Sequence, residues 1–241
     1  MKLYDQMADW YPVLTPLEEY VEEAQVFRDI LLGALGDGRH TLLELGAGAG
    51  HNAHYLASDF ELTLTDLSPR MIELARVSCP GATFAVGDMR SLRLHRTFDA
   101  VFVHDALCYM LTEADLAAVF ATARAHLRPG GVLLLAPDFF AETFEDGDEV
   151  GGSEIDGRSL RYLAWVWQRE GQKDRYVVDY AIMTRVGEGV PEVHHDRHEE
   201  GLFPRATWIR LLEAAGFVVE RRPWSHSDVE RELEMLLAIA R

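Results

Sequence analysis

Apolar and polar positions alternate with two different periods along the first 137 residues of the chain. Residues 17–35 carry apolar side chains at helical spacing and are followed by Gly36, which predicts an amphipathic helix that ends there. Short apolar segments bounded by turn residues then predict five buried strands. These segments are residues 41–45, 61–66, 83–86, 98–104 and 132–137.

Helical segments separate the predicted strands. Helices are expected over about 49–57, from Pro69 onward and over about 113–127, where Arg128-Pro129-Gly130-Gly131 ends the last one. A chain that runs between parallel strands needs a crossover, which is usually a helix. The alternation therefore predicts an α/β fold with a doubly wound, mostly parallel sheet.

The pattern changes after residue 137. Residues 138–158 are acidic and glycine-rich, which predicts a loop, whereas residues 159–203 alternate apolar and polar side chains as three antiparallel strands do. Helical spacing returns over 204–216. Two last apolar segments, 217–224 and 233–241, are close enough in sequence to pair antiparallel.

A single domain over residues 1–241 is the organisation we expect. An N-terminal helical cap precedes a core, and an inserted loop with a β lid separates that core from its last helix and strands. The bounds of these four parts are 1–36, 37–137, 138–203 and 204–241.

Charge and cysteine content restrict the partners. The chain has 23 basic and 40 acidic residues and a formal charge of −17, so its field repels phosphate backbones and anionic membrane surfaces. We therefore expect neither nucleic acid nor a membrane as a partner. The two cysteines suggest no disulfide framework or zinc site, and the first twelve residues contain no apolar signal core, so a cytoplasmic protein is expected.

The residues that point to chemistry lie where the first two strands end. Glu44-Leu45-Gly46-Ala47-Gly48-Ala49-Gly50 joins the first strand to its helix, and glycines there let a ligand approach the backbone. Asp66 ends the second strand, where a carboxylate suits the two hydroxyl groups of a ribose. Asp66 could instead cap the helix after Ser68, and a glycine-rich turn alone is weak evidence.

These motifs resemble those of the class I S-adenosylmethionine-dependent methyltransferases over the whole predicted sheet. Glu44 to Gly50 is similar to their E/DxGxGxG motif, Asp66 to their ribose-binding acid, and Gly87-Asp88-Met89 to the segment that holds adenine. Residues 127–136 resemble the turn into their fifth strand. The resemblance implies a Rossmann-like sheet of seven strands whose last strand is antiparallel.

The resemblance also implies S-adenosylmethionine as cofactor and S-adenosylhomocysteine as its product. The residues that would contact the cofactor are Tyr11, Glu44, Gly46, Ala47, Gly48, Gly50, Asp66, Leu67, Met71, Gly87, Asp88, Met89 and His104. Two alternatives stay open here: Asp88 could be an ordinary turn residue, and His51 could cap its helix, face solvent or touch the cofactor.

A looser similarity links three segments to small-molecule methyltransferases of natural-product pathways, including those that N-methylate amino sugars. The segments are Tyr4-Asp5 with Tyr11, residues 104–110 and residues 194–217. In those enzymes an N-terminal aromatic segment and a lid of extra strands close over cofactor and substrate. Some relatives place a histidine at the position of Tyr109, so the departure leaves the acceptor undefined.

Candidates for catalysis are His104, Tyr109 and Tyr11, with His104 either a general base or a hydrogen-bonded structural residue. Trp165 and Trp167 share one strand face and either cover the substrate or pack the sheet. A strand alternates faces, so His194 and His198 share a side and His195 points away, which does not favour a metal site. The substrate candidates are Tyr4, Asp105, Tyr109, Trp165, Trp167, His194 and His198.

The expected reaction is transfer of a methyl group to an amine or hydroxyl of a small molecule, by in-line displacement that requires no covalent residue. A nicotinamide-dependent oxidoreductase is one alternative, because residues 48–53 also satisfy the looser GxGxxA spacing. A non-catalytic cofactor-binding protein with the same fold is the other. A homodimer is an expected assembly.

Overall fold

The computed structural model describes residues 1–225, 227 and 233–241. Within them the α-helices are α1 Tyr11–Leu14, α2 Val21–Leu35, α3 His51–Leu56, α4 Pro69–Ser78, α5 Glu113–Ala125 and α6 Arg205–Ala214. The strands are β1 His40–Leu45, β2 Phe60–Asp66, β3 Thr83–Val86, β4 Phe98–Val103, β5 Leu127–Leu135, β6 Gly147–Gly151, β7 Glu154–Ile155, β8 Arg158–Trp167, β9 Arg175–Val186, β10 Glu192–Gly201, β11 Phe217–Trp224 and β12 Leu233–Ala240.

Seven strands form one sheet in the order β11-β12-β5-β4-β1-β2-β3. Strands β1 to β5 are parallel, and β12 pairs antiparallel with both β5 and β11. The α/β fold with a seven-stranded, mostly parallel sheet and an antiparallel C-terminal hairpin is therefore confirmed. The order reverses between β1 and β4, and at such a point the loops leave the sheet in opposite directions and open a crevice.

Apolar side chains of the strands alternate between two cores, one on each face of this sheet. Leu43 of β1 and Val101 of β4 pack with the α5 and α6 side, whereas Leu42 and Phe102 pack with the side formed by α2, α3 and α4. Successive side chains of a strand point to opposite faces of the sheet, and here both faces are buried. These segments are therefore apolar throughout. The sheet is thus the middle layer of three.

Two of the predicted bounds are wrong. The helix α5 ends at Ala125, and residues from Leu127 onward already belong to β5, with a shift in register between Phe98 and Ala100 of β4. The predicted helix over 17–35 begins with a 3₁₀ turn at Leu17–Tyr20 before α2. Turn residues such as Pro129-Gly130 suggested a loop between the helix and the strand. In the structure these residues belong to β5, which pairs irregularly with β4.

The inserted segment forms a second sheet in the order β10-β9-β8-β6, with β7 paired to β8. The three antiparallel strands expected within 159–203 are present as β8, β9 and β10. The prediction of a loop over 138–158 is wrong, because this segment contributes β6 and β7. Most β6 side chains are exposed, so its sequence lacks the apolar alternation that identifies a half-buried strand.

The inner face of this second sheet packs against the N-terminal segment. Leu160 of β8 and Ile182 of β9 are fully buried against Leu3, Met7 and Val13. The N-terminal cap therefore lies between the lid and the core, and closes the crevice from one side. No helix in the described residues is long and apolar enough to cross a membrane.

We expect Phe27→Ala to destabilise the fold strongly. The Phe27 ring is fully buried, and its centroid lies 5.0 Å from that of Phe102, 5.1 Å from that of Trp224 and 5.2 Å from that of His104. Truncating such a ring typically costs about 3–5 kcal/mol. Chemical denaturation measures the loss, with Val77→Ala on exposed α4 surface as the control that stays within ~0.5 kcal/mol of the parent. An equal effect of the two substitutions would contradict this packing.

Candidate active site

A cavity of about 550 Å³ lies at the carboxyl ends of β1, β2, β3 and β4. Its walls come from the loops that follow these strands and from the N-terminal cap, which contributes Tyr4, Tyr11 and Tyr20. Open parallel sheets bind ligands at this edge, where strand order reverses. The site that the sequence motifs indicated is therefore a real concave space with room for a ligand of moderate size.

The glycine turn between β1 and α3 has a backbone that other residues rarely adopt. Gly46, Gly48 and Gly50 have φ angles of 76°, 53° and 76°. A Cβ atom on Gly46 would collide with the Cβ of Ala106 in the loop after β4. The amides of Gly46 and Ala47 both donate to the carbonyl oxygen of Thr65, at 2.8 and 2.9 Å, which fixes the turn against β2. Glycine is thus required for both conformation and close approach.

Asp66 lies at the end of β2 and lines the cavity. Its Oδ2 accepts from the Gly48 amide at 2.9 Å, and its Oδ1 accepts from the Ser68 amide at 2.8 Å. Burial raises the pKa of Asp66, while these amides act in the opposite direction. Ser68, whose Oγ accepts from the Met71 amide, caps α4 itself, so the alternative that Asp66 is the helix cap is wrong.

Glu44 is a buried carboxyl group with an unsatisfied oxygen at the wall of the cavity. Only 4% of the residue is exposed, and its Oε2 has no hydrogen-bond partner among the residues that the structure describes. Burial, together with repulsion from Asp66 and Glu23, raises the pKa of Glu44 to about 8. Asn52, also 4% exposed and lining the cavity, has an unpartnered Oδ1. Both oxygens suit a ligand that brings hydrogen-bond donors or positive charge.

His104 lies between two carboxylates at the end of β4. Its Nε2 is 3.1 Å from Oδ1 of Asp105 and 3.8 Å from Oε2 of Glu23. The Asn52 side chain donates to Glu23 Oε1 at 2.8 Å and lies 3.5 Å from the Nδ1 of His104. These contacts hold the imidazole in one orientation at the floor of the cavity.

Asp105 extends from this group into the cavity, and its side chain is 54% exposed to that space. Surrounding protein desolvates the carboxyl, and Glu23 and Glu200 repel its charge, which raises the pKa of Asp105 to about 7. Together with Glu44 and Asp66, Asp105 gives the cavity three carboxyl groups. A cation in this space would be stabilised by all three groups.

Three aromatic side chains, those of Tyr4, Tyr11 and Tyr109, also line the cavity. Tyr4 Oη lies 2.8 Å from Tyr109 Oη, and the Tyr4 and Tyr11 ring centroids are 6.0 Å apart. Burial raises the pKa of Tyr11 to about 12 and that of Tyr109 well above its usual value, so both phenols are protonated. The structure thus brings the predicted residues Tyr4, Tyr11, His104, Asp105 and Tyr109 together around one space.

Other predicted contacts lie elsewhere. Gly50 is the N-cap of α3, and Met71 is 1% exposed in the core; neither residue lines the cavity. Trp165 is 58% exposed and Trp167 donates to Asp179, both on the outer face of the lid sheet, where β8 residues point away from the cavity. The prediction that the two tryptophans contact the substrate is therefore wrong, because both side chains point outward from the lid.

The two lid histidines have different surroundings. His194 shares a hydrogen bond with Thr184, 3.1 Å from its Nε2, and lies away from the cavity. His198 is buried directly behind Tyr109, with its Nδ1 3.0 Å from Tyr109 Oη. His195 is exposed on the opposite face, as the strand period predicts.

Sequence reasoning missed Tyr20, Asn52 and Glu23, and left His51 open. His51 neither caps α3 nor faces solvent: it is 6% exposed and its ring lies 4.8 Å from that of Tyr20. Burial lowers the pKa of His51 to about 4. Asn52 could have been found as a buried polar residue on the first turn after the glycines, whereas Glu23 and Tyr20 carry no local signal.

One group of possible metal ligands occurs in the described residues. The ligand atoms of Cys108, Asp138 and Glu200 lie within 4.8 Å of one another. Three distant segments supply them, so their sequence spacing could not reveal the group. For Asp88 the sequence allowed either an adenine contact or an ordinary turn residue. The Asp88 side chain lines the cavity and also accepts hydrogen bonds from the backbone amide and the guanidinium group of Arg90.

We expect Glu44→Gln to stabilise the ligand-free protein in a pH-dependent way. The Glu44 carboxyl has a pKa of about 4.3 in the unfolded chain but of about 8 in the folded protein. Between these two pH values only the folded state holds the proton, so the free energy of unfolding falls as the pH rises. The glutamine amide does not titrate and removes this loss. The free energy of unfolding of the variant should therefore exceed that of the parent by about 1 kcal/mol or more at pH 8 but by little at pH 4. Denaturation at both pH values, with exposed Glu213→Gln on α6 as control, measures it. A pH-independent difference would contradict the buried, protonated Glu44.

Comparison with known proteins agrees with this geometry. Residues 42–131 match a methyltransferase domain family. A dTDP-3-amino-3,4,6-trideoxy-alpha-D-glucopyranose N,N-dimethyltransferase of Streptomyces venezuelae is 33% identical over 207 residues, which are 84% of this chain and 85% of the relative.

Solved structures give the same result. Streptomyces venezuelae DesVI has a TM-score of 0.82 and 27% identity over 92% of both chains. S-adenosylmethionine-bound CalS10, an amino pentose methyltransferase from Micromonospora echinaspora, has a TM-score of 0.78 and 27% identity over 91% of this chain and 90% of its own. S-adenosylmethionine is the cofactor, and the oxidoreductase and non-catalytic alternatives find no support. The chain therefore belongs to the class I S-adenosylmethionine-dependent methyltransferases.

Proposed function

We propose that this enzyme methylates the amine of an amino sugar, with dTDP-linked deoxy amino sugars, the substrates named for the similar dimethyltransferases, as its first candidates. The observation that carries the proposal is the carboxyl group of Asp105, which faces the cavity beside the two acids expected to hold the cofactor. An amine is the common acceptor that arrives as a cation, whereas a hydroxyl gains nothing from this charge. The Asp105 carboxyl thus favours an amine over an alcohol.

The residues present fit the cofactor. The unpartnered Oε2 of Glu44 would accept a hydrogen bond from its ammonium group, and Asp66 from the ribose hydroxyls. The glycine turn gives the close backbone approach, and the Met89 amide with Asp88 would hold adenine. When bound, the cofactor supplies a methyl group on a positively charged sulfur. Tyr11, His104 and Leu67 complete the wall around it.

The residues of this chain mainly orient the acceptor and exclude water. The N-terminal cap is fixed to the lid, since the Leu3 amide donates to Asp196 at 2.9 Å and Lys2 Nζ donates to the His195 carbonyl at 3.0 Å. The cap is also fixed to the core, since Ser68 Oγ donates to the Tyr4 carbonyl at 2.6 Å. A closed site that aligns nucleophile and methyl carbon is sufficient for an in-line displacement.

We further propose that residues 1–241 act as one unit, in which cap and core line the cavity and the lid packs on the cap. We also propose that the protein works in the cytoplasm, where its free Cys79 and Cys108 stay reduced. The homodimer stays a prediction. Light scattering on purified protein tests it, and a mass of one chain at working concentration would remove it.

Asp66→Ala should weaken binding of S-adenosylmethionine and S-adenosylhomocysteine. The substitution leaves the Gly48 and Ser68 amides without their acceptor and removes the proposed ribose contact, at a cost of about 1–3 kcal/mol. Calorimetry on protein stripped of ligand measures this, with Glu61→Gln on the exposed start of β2 as control. Parent protein should bind neither NADH nor NADPH. Unchanged affinity in the Asp66 variant would refute the ribose assignment.

Asp105→Asn should raise KM for a cationic acceptor by about tenfold, because it removes a carboxylate that faces the cavity. The assay compares dTDP-linked amino sugars with their hydroxyl analogues, and follows S-adenosylhomocysteine formation in the parent and the variant. Affinity for S-adenosylmethionine should change little. Parent enzyme that methylates the hydroxyl analogue and ignores the amine would overturn the proposed acceptor.

A further inference from the structure

A chain of hydrogen bonds runs from the cavity into the lid. Tyr4 Oη lies 2.8 Å from Tyr109 Oη, and Tyr109 Oη lies 3.0 Å from His198 Nδ1. The other ring nitrogen of His198, Nε2, lies 3.2 Å from Asp196 Oδ2. Tyr4 and Tyr109 line the cavity, whereas the His198 side chain is fully buried behind them. The phenols therefore connect the space for the acceptor to an imidazole that solvent does not reach.

We propose that Tyr109, His198 and Asp196 form a proton relay that takes a proton from the acceptor amine and stores it in the lid. The inference rests on the proposed function, since it assigns the group that removes a proton from the amine. It gives β10 of the lid a part in the reaction beyond covering the site.

The Asp196 carboxylate determines where the hydrogen atoms lie along this chain of hydrogen bonds. A carboxylate only accepts hydrogen bonds, so His198 Nε2 carries the hydrogen that faces Asp196. In a neutral imidazole Nδ1 is then unprotonated and accepts from the Tyr109 hydroxyl. The Tyr109 oxygen in turn accepts from the Tyr4 hydroxyl. Every donor thus points from the cavity toward the lid, which is the direction in which a proton has to move.

Asp196 is held as an anion at the end of the chain. Burial raises its pKa, but hydrogen bonds from the Leu3 amide and His198 outweigh burial and hold the pKa of Asp196 below its usual value. The Arg197 amide also donates to Oδ1, at 3.0 Å. The carboxylate therefore stabilises an imidazolium when His198 receives a proton.

Other titratable groups also face His198. Burial holds the pKa of His198 below its usual value, and the amino terminus acts in the same direction, although Asp196 opposes both. Glu200 Oε1 lies 3.8 Å from Nδ1, and burial raises the pKa of Glu200 to about 7. The rings of Tyr180 and Tyr4 pack against the imidazole at centroid distances of 5.0 and 5.7 Å. His198 is thus neutral at rest and has two carboxyl groups beside it when charged.

The steps balance as follows. An ammonium acceptor gives a proton to the Tyr109 oxygen as the Tyr109 hydroxyl proton passes to His198 Nδ1, so the phenol is regenerated and His198 becomes a cation. The free amine lone pair forms the new N–C bond, and the S–C bonding electrons stay on sulfur as a neutral thioether. The stored proton returns along the same chain to water after the product leaves.

The test compares His198→Asn with His194→Asn. His198→Asn keeps a hydrogen-bond acceptor near Tyr109 but cannot take a proton. His194→Asn is the matched control: it makes the same substitution on the same face of β10, at a residue that is hydrogen-bonded to Thr184. At about pH 7, His198→Asn should lose at least about tenfold in kcat, with unchanged affinity for S-adenosylmethionine. At about pH 9 the loss should shrink, because free amine is then present without a base.

A purely structural role would give a loss that does not depend on pH, and that result would overturn the relay, as would parent-like kcat in folded His198→Asn. Ring-nitrogen NMR of His198 adds a measurement that needs no acceptor. We expect the neutral tautomer with hydrogen on Nε2, and a changed Nδ1 signal in Tyr109→Phe. An imidazolium or the opposite tautomer overturns the relay. If the parent methylates no amine, the proposed function fails and the relay loses its substrate, while the NMR result still decides whether the hydrogen-bond chain has the proposed direction.

Discussion

Parallel pairing of β1 with β2 on one side and with β4 on the other is the constraint on which the site depends. Each pairing brings the carboxyl ends of two strands to one edge, so loops that are distant in sequence meet there. The glycine turn after β1 can then contact Ala106 after β4 and receive Asp66 from β2. A change of register in either pair would shift one wall of the cavity against the others.

The sequence predicts best what depends on neighbours along the chain. Apolar strands, the glycine turn and Asp66 all follow from local patterns, since burial on both faces and positive φ angles restrict residue types. Strand β6 and the outward position of Trp165 depend on which face of the lid meets the protein, which spacing alone does not determine. Tyr20, Glu23 and the link from Tyr109 to His198 arise from contacts between remote segments, and no local pattern marks them.

The lid and the cap are additions to the main sheet, and they pack against each other. The core supplies a cavity that any member of the family could use for the cofactor. In the proposed function, Tyr4 of the cap and Asp105 and Tyr109 of the loop after β4 would face the acceptor, with His198 of β10 behind Tyr109. Under that proposal the lid would act on the acceptor indirectly, through the N-terminal residues against which its inner face is packed.

Buried Glu44 also links cofactor exchange to protons. An empty site holds this carboxyl protonated at neutral pH, because burial raises its pKa to about 8. In the proposed complex an ammonium group faces it and favours the anion, so a proton leaves the protein as the cofactor enters. The same proton has to return when the product departs. Cofactor affinity thus increases with pH across the neutral range, and the heat of binding includes the ionisation of whatever buffer receives the proton.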